Sequence, residues 1–228
     1  MTLIFELPRE SVAASVQVDV DRLVIAGWAG RDVHAIEHHI RELEAIGVPR
    51  PSSVPLFYRV AANQMTQAGH VEVVGAETSG EVEPLLFFQG GELFVSVASD
   101  HTDRRLETHS VALSKQVCAK PAARAAWRVS HVADHWDSLL LRSWIEERGD
   151  WVLYQEGRLS ALLAPADLLA RLVAVEPPPA EGFAMTCGTV PVIGGIRPSP
   201  RFRMELVDER DGQRIAHEYA CTVLPVIA

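Results

Sequence analysis

The chain has 228 residues, of which 48% are hydrophobic, and this is enough for one sizeable core. Acidic residues outnumber basic ones by 30 to 21, and the net charge of −9 disfavours binding to a nucleic-acid backbone. The apolar runs are shorter than the roughly 20 residues that a membrane helix needs. The first residues do not resemble a secretion signal, and the three cysteines form no CxxC pair. These features predict a cytoplasmic protein with reduced thiols that binds neither nucleic acid nor membrane.

Short apolar runs bounded by glycine or proline predict β-strands along most of the chain. The predicted strands are Leu3–Leu7, Leu23–Trp28, Pro55–Val60, Val71–Val74, Glu81–Phe88, Glu92–Ala98, Leu139–Ile145, Trp151–Tyr154, Phe202–Val207 and Ile215–Val223. Turn residues separate several neighbouring runs, among them Gly90-Gly91, Gly149-Asp150 and Gly212. The pattern therefore predicts antiparallel hairpins in a protein rich in β-structure.

Two helices interrupt the strands. Apolar side chains recur at helical spacing between Val33 and Leu43, and Gly47 is the expected end of this first helix. The second helix is predicted from about Ala166 to Val175, after Pro165, and a run of prolines then stops it. The expected fold class is therefore α+β and mainly β, with two main helices.

Glu81 and Glu83 lie just before the apolar run Leu85–Phe88. Residues two apart in a strand point to the same face, so both carboxylates would lie on one side. Carboxylates this close repel each other unless a cation or positive side chain intervenes, and oxygen ligands suit magnesium, manganese or calcium. The alternative is a solvated strand face, but the apolar run favours burial.

Asp100 directly follows the predicted strand Leu93–Ala98. If this strand pairs with Glu81–Phe88 as a hairpin, the start of one meets the end of the other, and Asp100 lies beside Glu81 and Glu83. The alternative is an aspartate-rich turn capped by its own side chains. Together the two acidic segments favour a metal site with three carboxylate ligands.

Other candidate residues carry weaker signals. His39 and Glu42 lie three positions apart on the first helix and could form a general acid/base pair, or simply keep the helix soluble. Lys115, taken alone, predicts a solvated surface charge. The turn that contains Thr189 exposes N–H groups and hydroxyls that could bind a carboxylate, although it could equally be a plain strand end.

The order of these segments resembles the fumarylacetoacetate hydrolase superfamily, from about Gly30 to Leu224. In that family a Glu-x-Glu on a strand precedes an Asp-x-x-x-Arg segment, and the three carboxylates bind a divalent metal. The matching residues here are Glu81, Glu83, Asp100 and, in the arginine position, Arg104.

Further motifs of the family also have counterparts in this chain. Its His-x-x-Glu corresponds to His39 and Glu42, and the Gly-Arg that often precedes it corresponds to Gly30-Arg31. Its basic residue after a Pro-x-Phe-like strand, its lysine and its Thr-Gly-Thr-Pro turn correspond to Arg59, Lys115 and the turn at Thr189.

The resemblance implies a twisted β-roll or sandwich in a single domain, residues 1–228, with N-terminal strands in 1–29 and the catalytic region in 30–228. It also implies a homodimer that acts on a small-molecule carboxylate. The activity would be hydrolysis of a C–C bond in a dicarbonyl or acylpyruvate-like 2-oxo acid through a metal-stabilised enolate. Magnesium is the expected cation, with manganese or calcium as alternatives.

The roles that the resemblance implies fall into three sets. The metal ligands would be Glu81, Glu83 and Asp100. The catalytic residues would be His39, which activates water with the help of Glu42, and Lys115, which stabilises the oxyanion. The substrate-binding residues would be Arg59, Thr189, Arg31 and Arg104.

Other functions remain open at this point. The same scaffold supports decarboxylation, tautomerisation and hydration or dehydration, because all of these pass through an enol or enolate. A trimmed segment between Glu83 and Asp100 and the extra Val190 in the last turn are compatible with a non-catalytic metal- or ligand-binding protein. A zinc hydrolase built on His101 is the weakest alternative, since no HxH or HExxH spacing supports it.

Overall fold

The computed structural model describes residues 1–10, 12–45 and 50–227, without the side chains at positions 39, 42, 43 and 45. Its first strands are β1 (Thr2–Glu6), β2 (Ser15–Asp19), β3 (Arg22–Gly27), β4 (Leu56–Val60), β5 (Met65–Thr66), β6 (His70–Val74), β7 (Thr78–Ser79), β8 (Val82–Gln89) and β9 (Glu92–Ser99). The later strands are β10 (Thr102–Asp103), β11 (Lys120–Pro121), β12 (Trp127–Arg128), β13 (Leu140–Glu147), β14 (Asp150–Arg158), β15 (Phe183–Thr186), β16 (Arg201–Asp208) and β17 (Gln213–Leu224). The α-helices are α1 (Val33–Ala45), α2 (Arg104–Glu107), α3 (Val111–Gln116) and α4 (Pro165–Leu172).

Two large sheets dominate the architecture. The first has six strands in the order β12-β9-β8-β15-β3-β4, and the second has five in the order β14-β13-β16-β17-β6. The expected hairpins β8–β9, β13–β14 and β16–β17 are all present and antiparallel. The mainly-β class with few helices is therefore confirmed. Within the described residues, none of the helices has the length and hydropathy needed to cross a membrane.

The six-stranded sheet is buried on both faces, which explains the unbroken apolar run in β8. Leu86 belongs to a core cluster that also contains Met204 of the five-stranded sheet. Its neighbours Leu85 and Phe87 belong to a second cluster, shared with Phe5 of the β1–β2 hairpin. Successive side chains of a strand point to opposite faces, so a strand covered on both sides needs apolar residues at every position.

The short strands β5, β7, β10, β11 and β12 and the short helices α2 and α3 have no counterpart in the sequence prediction, because segments of two to six residues are too short to show a periodic pattern. Two longer elements also differ from the prediction. Strand β2 is missing from the prediction, although Val16, Val18 and Val20 alternate with polar residues as in a half-exposed strand. Helix α4 begins at Pro165 and ends at Leu172 rather than Val175. The N–H groups of Val175 and Glu176 both donate to the Leu172 carbonyl, so the chain leaves the helix in a tight turn. The expected helix end at Gly47 lies outside the described residues.

One edge of the six-stranded sheet collects the ends of four of its strands. At this edge β8 begins and β9 ends, since Val82 pairs with Ser99. Strands β3 and β15 run parallel to each other and antiparallel to β8, so both end there too. The chain that leaves β3 at this edge enters α1 six residues later.

Candidate metal and substrate site

Three carboxylates meet at this edge of the six-stranded sheet. One oxygen from each of Glu81, Glu83 and Asp100 lies within 4.8 Å of the others. The pairing of β8 with β9 brings them together, because Asp100 follows the end of β9 and its N–H donates to the Glu81 carbonyl at 2.9 Å. Glu81 lies one residue before β8 rather than within it, yet its carboxylate reaches the cluster. The predicted convergence of the three side chains is present in the structure.

Glu83 is almost completely buried, with 3% of its surface exposed. Its Oε2 accepts a hydrogen bond of 2.9 Å from the N–H of Gly188, in the turn after β15. Burial, followed by the nearby Asp100 charge, raises the pKa of Glu83 to about 8. Gly188 has a φ of +86°, and a Cβ there would lie 2.9 Å from the Ala29 Cβ, so a glycine is required to bring this N–H close.

Asp100 is completely buried between two lysines. The Lys115 ammonium, on α3, donates to Oδ2, and the Lys120 ammonium, on β11, lies 3.1 Å from Oδ1. Burial by itself would raise the pKa of Asp100, but the two ammonium groups hold it well below its ordinary value. Among the described residues none donates a hydrogen bond of good geometry to Oδ1. This buried oxygen therefore retains capacity for another partner.

Glu81 faces a cation of its own. Its Oε1 lies 3.1 Å from Nη2 of Arg104, whose guanidinium also donates to Ser79 at 2.7 Å and to Glu107 at 2.9 Å. These contacts fix Arg104 beside the acidic cluster. In this structure its guanidinium is engaged with protein groups, and its role in binding substrate stays a prediction.

A buried hydrogen-bonded network supports the turn that carries Asp100. Nδ1 of His101 contacts the Tyr219 hydroxyl at 2.9 Å, and Nε2 contacts the Thr78 hydroxyl at 2.9 Å. Ser99 also bonds to the Tyr219 hydroxyl, at 2.8 Å. Burial, followed by the Lys120 charge, lowers the pKa of His101 to about 3, so the ring is neutral near pH 7. Both ring nitrogens are occupied by protein groups, which disfavours His101 as a zinc ligand.

Gln155 of β14 holds two parts of the site together. Its carbonyl oxygen accepts from the Val82 N–H at 3.0 Å, and its amide nitrogen donates to Thr189 and to the Val190 carbonyl, both at 2.7 Å. The Thr189 hydroxyl in turn donates to the Val82 carbonyl at 2.7 Å. Thr189 thus ties the last turn to the start of β8, and its contact with a substrate carboxylate stays a prediction.

Two predicted substrate-binding arginines lie outside the carboxylate cluster. Arg31 forms a bidentate pair with Asp137, at 2.7 and 2.8 Å, and Arg59 pairs with Glu176 at 2.8 Å. Arg59 is level with Val24 on β3, three strands away from β8 in the sheet order. The side chains of His39 and Glu42 lie outside the described residues, although their backbone belongs to α1.

Two residues near the cluster were not identified from the sequence. Lys120 is completely buried, and a buried lysine has no periodic signature that separates it from an exposed one. A count would have drawn attention to it, because Lys115 and Lys120 are the two lysines of the whole chain. The other residue is Tyr58 of β4, whose ring centroid lies 5.6 Å from the Lys115 ammonium.

The donor set fits a hard divalent cation. Carboxylate oxygens are the ligands that magnesium, manganese and calcium prefer, and three of them converge here. The Asp100 Oδ1 atom is buried and accepts no hydrogen bond of good geometry from the described residues, as expected for an oxygen with a further ligand to bind. Glu81, Glu83 and Asp100 are therefore the residues that would hold such an ion.

The fold of the chain is similar to that of several solved structures, among them a fumarylacetoacetate hydrolase family protein. A yeast member, ynq8, is 15% identical, with 92% of this chain and 96% of that one covered at a TM-score of 0.64. A protein from Burkholderia cenocepacia, provisionally assigned as a fumarylpyruvate hydrolase, is 17% identical, with 98% and 96% covered at 0.62. A 2-keto-3-deoxy-D-arabinonate dehydratase complexed with magnesium and 2,5-dioxopentanoate is 14% identical, with 90% and 75% covered at 0.63.

These likenesses show that the chain shares its fold with a solved fumarylacetoacetate hydrolase family protein, and they confirm the resemblance seen in the sequence at the level of the fold. Residues 26–219 match the family described as "Protein of unknown function (DUF2848)". The chain belongs to the DUF2848 family. None of the curated proteins is significantly similar to it in sequence.

Proposed function

We propose that the protein is a divalent-metal-dependent enzyme that acts on a small 2-oxo acid, most specifically by hydrolysing a C–C bond in a dicarbonyl or acylpyruvate-like substrate. The observation that carries this proposal is the buried convergence of Glu81, Glu83 and Asp100. Magnesium in a dehydratase of the same fold, bound together with a dicarbonyl compound, supports the assignment of the cation and the substrate class.

A bound divalent cation would supply a positive charge where an enolate develops next to the carbonyl group. The contribution of the chain is to place three carboxylates around one point and to exclude water from two of them, since Glu83 and Asp100 are buried. Gly188 orients Glu83 through its N–H, and Lys115 orients Asp100. These contacts fix the ligands before any ion arrives.

Lys115 is proposed to stabilise negative charge on the substrate. It is buried, and although burial opposes its protonation, the Asp100 charge keeps its pKa above the ordinary value. The ammonium is therefore charged at neutral pH and lies at the cluster itself. Arg59, Arg31, Arg104 and Thr189 are retained as candidate substrate-binding residues.

Hydrolysis also requires a base that activates water, and His39 with Glu42 is proposed for this role. The support is topological: α1 follows β3 from the edge of the sheet that carries the cluster. Decarboxylation, tautomerisation and hydration or dehydration need no such attack by water on a distal carbonyl. Because a dehydratase shares this fold, dehydration is the second candidate activity. A homodimer in the cytoplasm, with each chain a single β-roll domain, completes the proposal.

Assays of the purified protein with magnesium, against a panel of acylpyruvates and other 2-oxo acids, test this proposal. Consumption of a substrate that requires the cation is expected, and Glu83→Gln is expected to abolish it. Glu72→Gln, an exposed position on β6, is the matched control and is expected to keep full turnover. Magnesium and oxalate binding without turnover on any substrate would favour the non-catalytic alternative. His39→Ala with full C–C cleavage would favour chemistry without a water nucleophile.

A further inference from the structure

Basic side chains lie against two of the three carboxylates of the acidic cluster. Asp100 faces Lys115 and Lys120, and Glu81 faces Arg104, so three carboxylates share three cationic groups. Lys115 and Lys120 are the chain's two lysines, and both lie on the same aspartate. The Lys120 ammonium is completely buried, so solvent does not screen its charge.

Lys120 lies close to the oxygen that a cation would use. Its Nζ is 3.1 Å from Oδ1 of Asp100 and also donates to the His101 carbonyl, which holds the ammonium in place. A carboxylate oxygen has two lone pairs, so Lys120 does not block Oδ1 sterically. Its effect is electrostatic, because a divalent cation at Oδ1 would lie close to a fixed positive charge in a buried site.

Adding a dication alone to this site leaves buried positive charge without compensation, which is costly. An anionic ligand that chelates the same cation brings the missing negative charge. We propose that Lys120 makes cation binding conditional on an anionic ligand, so that the ion binds weakly alone and tightly together with a 2-oxo acid. Lys120 is thus a positioning residue that sets the order and coupling of binding, an inference that rests on the proposed function.

Any chelating anion tightens the binding of a cation to some degree, so the contribution of Lys120 must be isolated by mutation. Isothermal titration with Mn²⁺, with and without oxalate, measures the coupling in wild type and in Lys120→Met. The variant is expected to bind Mn²⁺ alone about tenfold more tightly, and oxalate is expected to improve its affinity about tenfold less than in wild type. Arg171→Met, which removes one positive charge from an exposed position on α4, is the control and should behave as wild type.

A second measurement is made on wild-type protein and needs a variant only to assign its signals, for which the conservative Lys120→Arg is used. Because the chain has two lysines, selective ¹³C labelling of lysine gives two side-chain NMR signals, assigned with Lys120→Arg. Mn²⁺ is replaced by diamagnetic Mg²⁺ for this titration. The Lys120 signal is expected to shift with Mg²⁺ plus oxalate at concentrations where Mg²⁺ alone leaves it unchanged.

The outcomes separate this inference from the proposed function. Unchanged Mn²⁺ affinity and unchanged oxalate coupling in Lys120→Met would overturn the role of Lys120, while the proposed metal site would stand. A Lys120 signal that shifts equally with Mg²⁺ alone would overturn it in the same way. Absence of cation binding to wild type even with oxalate would instead contradict the proposed function itself.

Discussion

A buried aspartate lies near each end of the β16–β17 hairpin: Asp208 at the turn end and Asp100 near the open end. At the turn end, Asp208 accepts hydrogen bonds from Arg9 at 2.7 Å, from His135 at 2.8 Å and from the Arg210 N–H at 3.1 Å. At the other end, Tyr219 supports the segment that carries Asp100 through its hydrogen bond to His101.

The two aspartates differ in what remains unsatisfied. Both oxygens of Asp208 accept hydrogen bonds from protein groups, and its partners Arg9 and His135 keep some contact with solvent. Asp100 has an oxygen without a good hydrogen bond among the described residues, and two more carboxylates lie beside it. Asp208 links separate elements of the fold by hydrogen bonds and ion pairs, as a structural aspartate does. Asp100 instead belongs to a group of three close carboxylates, which the stability of the fold does not require.

The largest expected difference between the two ends is in the free energy of unfolding that is lost when each aspartate is replaced by asparagine. Asp100→Asn leaves two buried ammonium groups without their carboxylate and should lower the free energy of unfolding by about 3–5 kcal/mol. Asp208→Asn should lower it by about 1–3 kcal/mol, because its partners can turn to water. Urea unfolding of both variants without added metal measures the two losses of unfolding free energy. Equal losses would contradict the claim that only the Asp100 end contains buried cations that depend on one carboxylate.

Glu83→Gln should separate function from stability. The substitution removes one cation ligand and should weaken Mn²⁺ binding in the presence of oxalate by more than about 100-fold, beyond the usual effect of losing a supporting group. Without metal, the free energy of unfolding should stay constant or rise, because a buried carboxylate with a raised pKa becomes a neutral amide. Calorimetric titration and urea unfolding check the two parts, with the exposed Glu72→Gln as the control that should change neither Mn²⁺ affinity nor the free energy of unfolding. A marked loss of stability with normal Mn²⁺ affinity would show that Glu83 is structural.

The smallest expected effect is a pH dependence at the Asp208 end. Hydrogen bonds to Asp134 and then Asp208 raise the pKa of His135 above its ordinary value of 6.5. A group whose pKa is raised by folding contributes its full stability below the ordinary pKa and loses it as the pH rises through the folded-state value. The free energy of unfolding of wild type should therefore exceed that of His135→Gln by roughly 1 kcal/mol at pH 6, and this difference should disappear at higher pH. Urea unfolding across this pH range measures the difference, and a difference that widens with pH would be contrary to the assignment.

The carboxylate cluster could be predicted because it depends on local pairing. Glu81 and Glu83 lie where β8 begins and Asp100 lies where β9 ends, so all three are at the open end of one hairpin, whose register is fixed by the turn at Gly90-Gly91. The strands and hairpins could be predicted for the same reason, since each depends only on a short stretch of sequence.

Contacts between distant segments could not be predicted in this way. Lys120 reaches Asp100 because Ala122, just after β11, forms a bridge with Ala98 near the end of β9. Arg59 likewise meets Glu176 across 117 residues of sequence. Periodicity reports which face of an element is apolar, but it carries no information about which charged side chain from elsewhere is buried against it. The motif order supplied by the family resemblance placed Lys115 at the site, whereas its residue type alone indicated the surface.

Crystals grown with Mn²⁺ and oxalate would test the metal site most directly, by the anomalous scattering of manganese. The expected result is one strong peak at the edge where β8 begins, with oxygens of Glu81, Glu83 and Asp100 roughly 2.0–2.4 Å away and oxalate completing the coordination. A peak bound by other side chains, or carboxylates that stay on their basic partners with no ion between them, would contradict the proposed site and the chemistry that depends on it.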